Sequence, residues 1–478
     1  MEYDHGSRAS ERSTAILTVV SAGANITFAV GTAPINLVDE SNVNKLCRLA
    51  NYEDAVKQFG FDENFNAYSL SEVMRVFFKF YKTAPVYFVN VLDPAKHKKA
   101  AEPETQTQVN NQVILSQLGV IKSSVKIKVA AADKVLDTDY SLQFNENNQL
   151  VVSVLSGGSI KPADKLTIDY DVLDPSKVTA KDIIGGIDSN GDYSGIELVQ
   201  QCYPKYNEVV GSLIAPGWSH DLTVAAALLA NAKAMNEVFI ANALVDLDTS
   251  KMKVYSDAVD IKAKANLTNP LYNVCMGDVI AGGIKYHQST FLAAVKQYIT
   301  HQNDDFPNQN PSNKPCYGDG YQINGKDIFL DRAQSNLLNK NGIIVVRKFS
   351  SGWRIWGNRT ACFPANTDVK DYDIAVRDCG NYLRNTVIVT TEQQVDEIID
   401  RAYILRIENT LQSWLDGLIG AKKLINASIK FPKEKNSLSD LLAGNIYFDL
   451  DYTTGTTAGL ITISIGFNVS DLNLIFRE

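Results

Sequence analysis

The sequence predicts a mixed α/β protein with a doubly wound sheet domain, an inserted β-sandwich and an α+β C-terminal domain. Buried strand patterns alternate with helical patterns in two separate stretches, residues 26–95 and 178–362. Between them, residues 96–177 contain short alternating strands divided by turns rich in Asn, Gly and Asp. Residues 363–478 then join an amphipathic helix to further strands. These changes of pattern set the expected domain boundaries.

Residues 1–25 are expected to form an N-terminal arm, because most of them offer little apolar surface to bury. The arm contains one β-prone run, made of Ala15, Ile16, Leu17, Thr18, Val19 and Val20. A lone strand at a chain end needs a sheet edge, in its own fold or in a neighbouring molecule. The sequence therefore predicts that this run adds to such an edge.

The first part of the α/β domain begins with the buried strand Ile26–Thr32 and ends with the buried strand Val86–Leu92. Between the two strands, Tyr52–Phe59 and Ser69–Tyr81 have the spacing of helices. Strands joined through helices predict a parallel pair with a right-handed crossover.

The β-sandwich is predicted from a run of short strands with polar turns. The expected strands are Val125–Ala130, Tyr140–Phe144, Leu150–Val154 and Lys165–Tyr170. The polar stretch Lys96–Gln112 before them breaks the α/β pattern. The module is therefore either inserted in the sheet domain or follows the first strands of that domain in the chain.

The main part of the α/β domain resumes after residue 178. Its expected strands are Val209–Ile214, Val238–Val245, Leu271–Met276 and Ile343–Phe349, and its expected helices are Leu222–Met235 and Tyr286–Thr300. Ser350-Ser351-Gly352 supplies turn residues, so Trp353–Trp356 is predicted to return as a hairpin. Trp353 and Trp356 then point to opposite faces, and at least one of them needs an apolar or cationic neighbour.

The C-terminal part is expected to start with one long amphipathic helix, Thr391–Leu418. The strands Leu424–Phe431, Ile446–Tyr452 and Leu460–Val469 follow it. The chain ends on a further short strand made of Leu472, Asn473, Leu474, Ile475 and Phe476. Like the run in the N-terminal arm, this terminal strand needs an edge with which to pair.

The amino-acid composition argues against several classes of protein. The 478 residues are 45% hydrophobic and 21% charged, which is typical of a folded protein, and the net charge of −8 argues against a nucleic-acid or anionic-membrane partner. The longest apolar run, Leu222–Ala232, is about half the length that a bilayer requires. The six cysteines are scattered without a CxxC pair, which favours buried thiols in a reduced compartment.

The usual motifs of catalysis and of cofactor or metal binding are absent from the sequence. It contains no GxGxxG after a strand, no Walker-type GK[ST], no HExxH and no GxSxG. Ser219, His220 and Asp221 could be imagined as a triad, but Ser219 and Asp221 are better placed as caps of the helix near Leu222. The acidic stretch 182–192 lacks the closing Glu of a calcium loop. We therefore predict no catalytic, cofactor or metal residue.

Five stretches resemble the contractile tail sheath protein of bacteriophages and of phage-derived contractile bacteriocins. The clearest is Leu213–Thr249, which contains APGWSH followed by a helix and a strand. The others are Val178–Leu198, Phe28–Pro34 (FAVGTAP), Pro311–Pro315 (PSNKP) and Gly352–Thr360 (GWRIWGNRT). The matches occur in the family's order and span most of the chain.

The resemblance implies a subtilisin-like α/β domain without catalytic residues, an outer β-sandwich and an inner C-terminal domain that contacts the tail tube. It implies a homo-oligomer, a helical polymer of sheath subunits whose arms add strands to neighbouring subunits, with tube, baseplate and tail terminator proteins as partners. It implies no cofactor, no direct nucleic-acid contact and no membrane insertion. The expected location is the virion tail or bacteriocin particle, after synthesis in the bacterial host cytoplasm.

Some alternatives remain open at this point. The basic cluster Lys422, Lys423, Lys430, Lys433 and Lys435 either faces an acidic tube or is an ordinary solvated face that complements a helix dipole. An α/β hydrolase-like enzyme and a surface binding module are the rival functions, because a fold alone does not determine function.

Overall fold

The computed structural model describes residues 19–476, without the side chains of residues 473 and 476. The first part contains strands β1 (Thr27–Gly31), β2 (Cys47–Leu49) and β3 (Val86–Asn90), with helices α1 (Tyr52–Phe59) and α2 (Ser69–Met74), which continues as a π-helical stretch to Tyr81. Of the predicted N-terminal strand, Ala15–Thr18 lies outside the described residues. Val19 and Val20 take no regular secondary structure.

The β module follows. Its strands are β4 (Lys98–Ala100), β5 (Glu104–Thr107), β6 (Gln112–Leu118), β7 (Lys126–Val129), β8 (Ala132–Asp133), β9 (Tyr140–Phe144), β10 (Gln149–Val154), β11 (Lys165–Asp169) and β12 (Asp171–Leu173). They form a sheet of order β6-β10-β9, a sheet of order β5-β11-β7-β8 and the pair β4-β12 at the base. The four predicted strands are confirmed. Two further strands of the module, β4 and β5, lie within the polar stretch 96–112.

The chain then returns to alternating helices and strands. These are α3 (Ala180–Ile184), β13 (Gly186–Ile187), β14 (Tyr193–Ser194), α4 (Cys202–Tyr206), β15 (Ser212–Ile214), α5 (Leu222–Lys233), β16 (Asn242–Asp246), α6 (Asp257–Lys264), β17 (Tyr272–Cys275), β18 (Asp278–Ala281), β19 (Ile284–His287), α7 (Gln288–His301), β20 (Gly320–Ile323), β21 (Lys326–Asp327), α8 (Arg332–Asn339), β22 (Ile343–Phe349) and β23 (Gly352–Trp356).

The main sheet joins both α/β parts in the order β2-β3-β1-β15-β16-β17-β22-β23. The strands from β3 to β22 are parallel, and the edge strands β2 and β23 are antiparallel to their neighbours. From β1 the chain adds β3 on one side and later β15 to β22 on the other. In such a sheet a crevice opens beyond the carboxyl ends of the strands.

The predicted hairpin around the paired tryptophans is confirmed. Phe349 pairs with Gly352 at the turn, and the ladder continues to Val345 opposite Trp356. Trp353 is buried, whereas Trp356 packs 5.0 Å from the Phe349 ring, with the Arg347 guanidinium 5.7 Å from its centre. The exposed face of the hairpin therefore has the apolar and cationic neighbours that the sequence predicted.

The C-terminal part consists of α9 (Val369–Tyr372), α10 (Ile374–Glu392), α11 (Arg401–Gly420), β24 (Asn426–Lys430), α12 (Leu438–Leu442) and β25 (Asp449–Thr453). The prediction of one helix over Thr391–Leu418 was wrong. Asp396 has a φ of 69°, in the left-handed region, and the Asp400 side chain accepts the Tyr403 N–H at the start of α11. A helix cannot continue through the first feature, and the second begins a new one.

Buried apolar side chains form three clusters. The largest covers both faces of the main sheet, the second lies between the sheets of the β module, and the third joins α10, α11 and the β24-β25 pair. The described residues thus pack around three separate hydrophobic cores.

Candidate functional site

The C-terminal arm leaves the body of the protein after β25. Residues 454–468 take no regular secondary structure and pair with no strand in the described part of the chain. Five apolar side chains in this segment are between 72% and 93% exposed, namely Leu460, Ile461, Ile463, Ile465 and Phe467. Four of them, at positions 461, 463, 465 and 467, alternate with small or polar residues, so that they would share one face of a strand. Within residues 19–476 the arm is therefore an amphipathic strand sequence that no other strand pairs with.

The terminal strand predicted for Leu472–Phe476 is corrected, because Val469–Phe476 is a 3-10 helix. Without a neighbouring strand, the backbone N–H groups bond within a local 3-10 turn. Leu472, Leu474 and Ile475 stay exposed in this conformation. Their apolar surface is therefore still available to a partner.

The first described residues of the N-terminal arm lie along α10. The Val20 N–H donates to Thr390 Oγ1 at 3.2 Å, and the Ala22 N–H donates to Thr386 Oγ1 at 3.2 Å. The Ser21 hydroxyl lies 2.8 Å from the hydroxyl of Tyr382, also on α10. The arm therefore starts from a defined position on the C-terminal part.

The pair β24-β25 is the sheet nearest to the root of the C-terminal arm. Ala427 and Ile429 of β24 face the apolar cluster with α11, while neighbouring residues of the strand are more exposed. No third strand joins the pair within residues 19–476. The outer edge of β24 is bonded to Gln412 of α11, which accepts the Ile429 N–H at 3.0 Å and donates to the Ala427 carbonyl at 3.4 Å. The outer edge of β25 is therefore the better template for an added strand.

The predicted basic cluster divides into paired and unpaired lysines. Lys423 folds back onto the loop after α7, where its Nζ lies 2.9 Å from Asp304 Oδ2, and Lys435 lies 2.6 Å from Asp449 Oδ1. Lys422, Lys430 and Lys433 are exposed, and no ion pair holds them among the described residues. Only these three remain as candidates for an external contact.

The sequence analysis considered and rejected a triad of Ser219, His220 and Asp221, and the structure separates them by role. Asp221 caps α5 by accepting the Thr223 N–H at 2.8 Å, as predicted. Ser219 was predicted to share this role, but its hydroxyl accepts the Asp246 N–H at 2.9 Å. The two side chains are thus engaged with different strands and helices.

A cleft of about 810 Å³ opens at the carboxyl ends of the main-sheet strands, beside the base of the β module. His287 lines it, with Nδ1 2.7 Å from Glu72 Oε2, and Ser289 donates its N–H to Asp246 at 2.9 Å. Burial alone lowers the pKa of His287, but the carboxylates of Glu72, Asp246 and Asp278 outweigh it and raise the pKa to about 9. The imidazole is therefore a cation held among acids. Sequence analysis missed this group, since no local motif marks it.

Across residues 19–476, no three His, Cys, Asp or Glu side chains are grouped in a way that would hold a metal ion. None of the described helices has both the length and the apolar character needed to cross a membrane.

Known proteins with similar sequences are tail sheath proteins. The chain is 25% identical over 461 residues to the tail sheath protein of Burkholderia phage BcepMu, and the match covers 94% of both chains. The chain is a homologue of tail sheath proteins. It is also 22% identical over 298 residues to a protein described as a prophage major tail sheath protein of Pseudomonas aeruginosa, covering 60% of this chain and 72% of that one. No family model matches the chain.

Solved structures share the fold of this sheath homologue. The sheath complex of an extracellular contractile injection system, PVC, in its contracted state has a TM-score of 0.59 at 13% identity, covering 98% of this chain and 99% of that one. The contracted helical sheath of the anti-feeding prophage has a TM-score of 0.56 at 13% identity and covers 98% and 100%. The mixed α/β architecture with several sheets is thus the architecture of known sheath subunits.

Proposed function

We propose that the protein is the structural subunit of a contractile tail sheath, which polymerises as a helical sleeve around a tail tube. Contraction of the sleeve would drive the tube through the envelope of the target cell. The observation that supports this most is the amphipathic arm, residues 460–467, which pairs with no strand within residues 19–476, on a chain that also carries the two-stranded sheet β24-β25. One copy thus offers a strand and an edge, and such heterologous contacts generate helical assemblies.

The donated strand of the C-terminal arm is proposed to include residues 460–468, with Leu472–Phe476 following it. Pairing would bury four apolar side chains on one face, each contributing about 1.5–3 kcal/mol. Backbone ladders are tolerant of rigid-body rotation of the subunits they join. The sleeve could therefore shorten and widen without losing its connections, with work supplied by the energy difference between two packings of the same subunits.

The division of the chain follows the sequence analysis. We infer a donated-strand arm in residues 1–25, with Ala15–Val20 as its strand, a subtilisin-like doubly wound domain without catalytic residues in 26–95 and 178–362, a β-sandwich in 96–177 and a C-terminal domain in 363–478. The three buried clusters support these units. The β-sandwich is proposed to face outward and the C-terminal domain inward toward the tube.

The proposed partners are other copies of the chain, the tail tube protein, and the baseplate and tail terminator proteins. Solved structures of this fold include an anti-feeding prophage baseplate. The particle is a virion tail or a bacteriocin, assembled from protein made in the host cytoplasm. The proposed role needs no enzyme activity and no cofactor.

Deleting residues 460–478 is expected to leave a folded monomer that forms no sleeves, because the deleted apolar side chains are exposed in the single subunit. The double variant Ile463→Asp/Ile465→Asp should have the same effect, since it places charge on the apolar face of the arm. The matched control is Thr462→Asp/Ser464→Asp, which places the same two charges on the opposite, polar face of the arm. The control should form more sleeves than Ile463→Asp/Ile465→Asp does. Sedimentation measures the fraction of protein that assembles, and electron microscopy shows whether the assemblies are sleeves. Normal sleeves from the truncated chain would refute the role of this arm.

The exposed lysines Lys422, Lys430 and Lys433 are proposed to face an acidic tube surface. Reversing all three to Glu is expected to reduce co-sedimentation of the sheath with tubes, since the attraction would become repulsion. Reversing Lys126, Lys161 and Lys165 of the β module, which are also exposed, is the control. Unchanged binding of the first variant would remove this proposal and leave an ordinary solvated face.

A further inference from the structure

Helix α10 is fixed to the main sheet by buried polar contacts. Lys296 of α7 places Nζ 3.1 Å from Asp378 Oδ1 of α10, and Asn242 of β16 donates to the same oxygen at 2.7 Å. Nearer its end, the Asn385 amide accepts the Ile240 N–H at 3.0 Å and donates to the Ile240 carbonyl at 2.8 Å. The helix is therefore held to the sheet domain at two levels along its length.

The root of the N-terminal arm is docked on the second half of this helix. Thr386 and Thr390 are fully buried and lie one turn apart on the same face. Four residues of a helix rise about 6 Å, and two residues of an extended chain advance about 6.6 Å. This match lets the alternate N–H groups of Val20 and Ala22 meet the two hydroxyls at 3.2 Å each. The pairing defines both the position and the direction of the arm.

The root of the C-terminal arm is docked at the start of the same helix. The Thr457 hydroxyl donates to Asp373 Oδ1 at 3.3 Å, and Asp373 is the N-cap residue of α10. The Asn310 side-chain amide donates a hydrogen bond to the same hydroxyl at 3.2 Å. Just before this point, Tyr452 of β25 passes so close to Gly380 that a Cβ there would overlap its hydroxyl. The last docked residue of the arm thus precedes the exposed segment by only three positions.

We propose that α10 is a rigid spacer that sets the separation and exit directions of both terminal arms, with Thr386 and Thr390 as positioning residues for the N-terminal one. This inference rests on the proposed sheath function. The two docking points are 17 residues apart on the helix, or roughly 25 Å at a rise of 1.5 Å per residue. Because both roots belong to one rigid element, each arm reaches its neighbour from a fixed point, and the spacing of neighbours in the sleeve follows from α10.

The test uses the full-length double variant Thr386→Val/Thr390→Val, in which valine keeps the shape of threonine but removes both hydroxyl acceptors. Thr391→Val is the matched control, because the Thr391 hydroxyl bonds to the Val387 carbonyl of its own helix. Val20→Pro removes one donor from the arm and leaves α10 unaltered, which guards against misfolding of the helix. Amide hydrogen exchange of the separate subunits is measured first, followed by microscopy of assembled sleeves.

In the double variant we expect the Ala22 amide, and the Val20 amide, to exchange about tenfold faster than in the control. Sleeves should then be fewer or irregular in pitch, with Val20→Pro showing the same defect. Unchanged exchange would overturn the docking. Faster exchange with sleeves of normal pitch would overturn the spacer role, although the sheath function would stand. Failure of the sheath function itself would appear separately, as the absence of sleeves from the unaltered full-length chain.

Discussion

Replacing Lys296 by Met is expected to lower the free energy of unfolding by about 3–5 kcal/mol. Lys296 and Asp378 are fully buried partners, and Asn273 Oδ1 lies 3.1 Å from the same ammonium group. Burial raises the pKa of Asp378, and the Lys296 cation counteracts this. Without the cation the buried carboxyl group keeps its hydrogen bond from Asn242 but has no compensating charge. The free energy of unfolding in urea is the quantity to measure.

Two controls separate the buried pair from ordinary charge effects. The double variant Lys296→Met/Asp378→Leu should recover much of the loss, because neither partner is then left buried and unpaired. Lys251→Met removes an exposed lysine that lies 2.8 Å from Asp248 and should leave stability unchanged. A single variant Lys296→Met as stable as the wild type would contradict the account. Because this pair joins α7 to α10, it also bears on the rigidity assigned to α10.

Raising the pH from about 6.5 to about 9 is expected to destabilise the folded chain through His287. Its pKa rises from an ordinary value of 6.5 to about 9 in the fold, so the native state binds the proton more tightly than the unfolded state. This stabilisation is fully present below pH 6.5 and is lost as the pH passes through 9. The shift corresponds to about 3 kcal/mol.

The charged groups that face His287 are all carboxylates. They belong to Glu72, Asp246 and Asp278. A cation, Lys285, lies beyond them, with its Nζ 3.6 Å from Asp278 Oδ2. Burial raises the pKa of both Asp246 and Asp278, so protonation of the cluster favours the fold. His287→Gln should reduce the slope of unfolding free energy against pH between 6.5 and 9, whereas His220→Gln, at an exposed position, should keep it. Equal slopes in the wild type and His287→Gln would contradict the assignment.

Local patterns in the sequence predicted those elements whose form depends on near neighbours. β9 (Tyr140–Phe144) begins and ends where its alternating pattern and the flanking turn residues place it. β22 (Ile343–Phe349) coincides with a continuous apolar, β-branched run that ends at the turn Ser350-Ser351-Gly352. The return at Gly352 follows from its φ of 105°, which favours glycine. In these cases the side chains, the turn and the burial all agree, so short-range reasoning is sufficient.

The error in the C-terminal part has an identifiable cause. Val395 and Ile398 continue an apolar stripe in the sequence, yet they are 66% and 85% exposed in the loop between α10 and α11. Their apolar spacing suggested one face of a helix, but no residue between 19 and 476 covers these two side chains. Hydrophobic periodicity cannot distinguish a core face from a surface that is exposed in the isolated chain.

The contacts in the cleft and at the roots of the arms could not be predicted from the sequence, because they join residues far apart in the chain. Glu72 and His287 are 215 positions apart, and Val20 and Thr390 are 370 apart. Only the parallel sheet and the packing of α10 bring these residues together. A threonine in a helix carries no local signal that it accepts a hydrogen bond from a distant arm.

The most direct test of the central claim is electron microscopy of the purified full-length chain. If the subunits are joined by donated strands, the micrographs will show long striated hollow tubes of uniform width. Discrete monomers under the same conditions, with residues 460–476 folded against their own subunit, would contradict it.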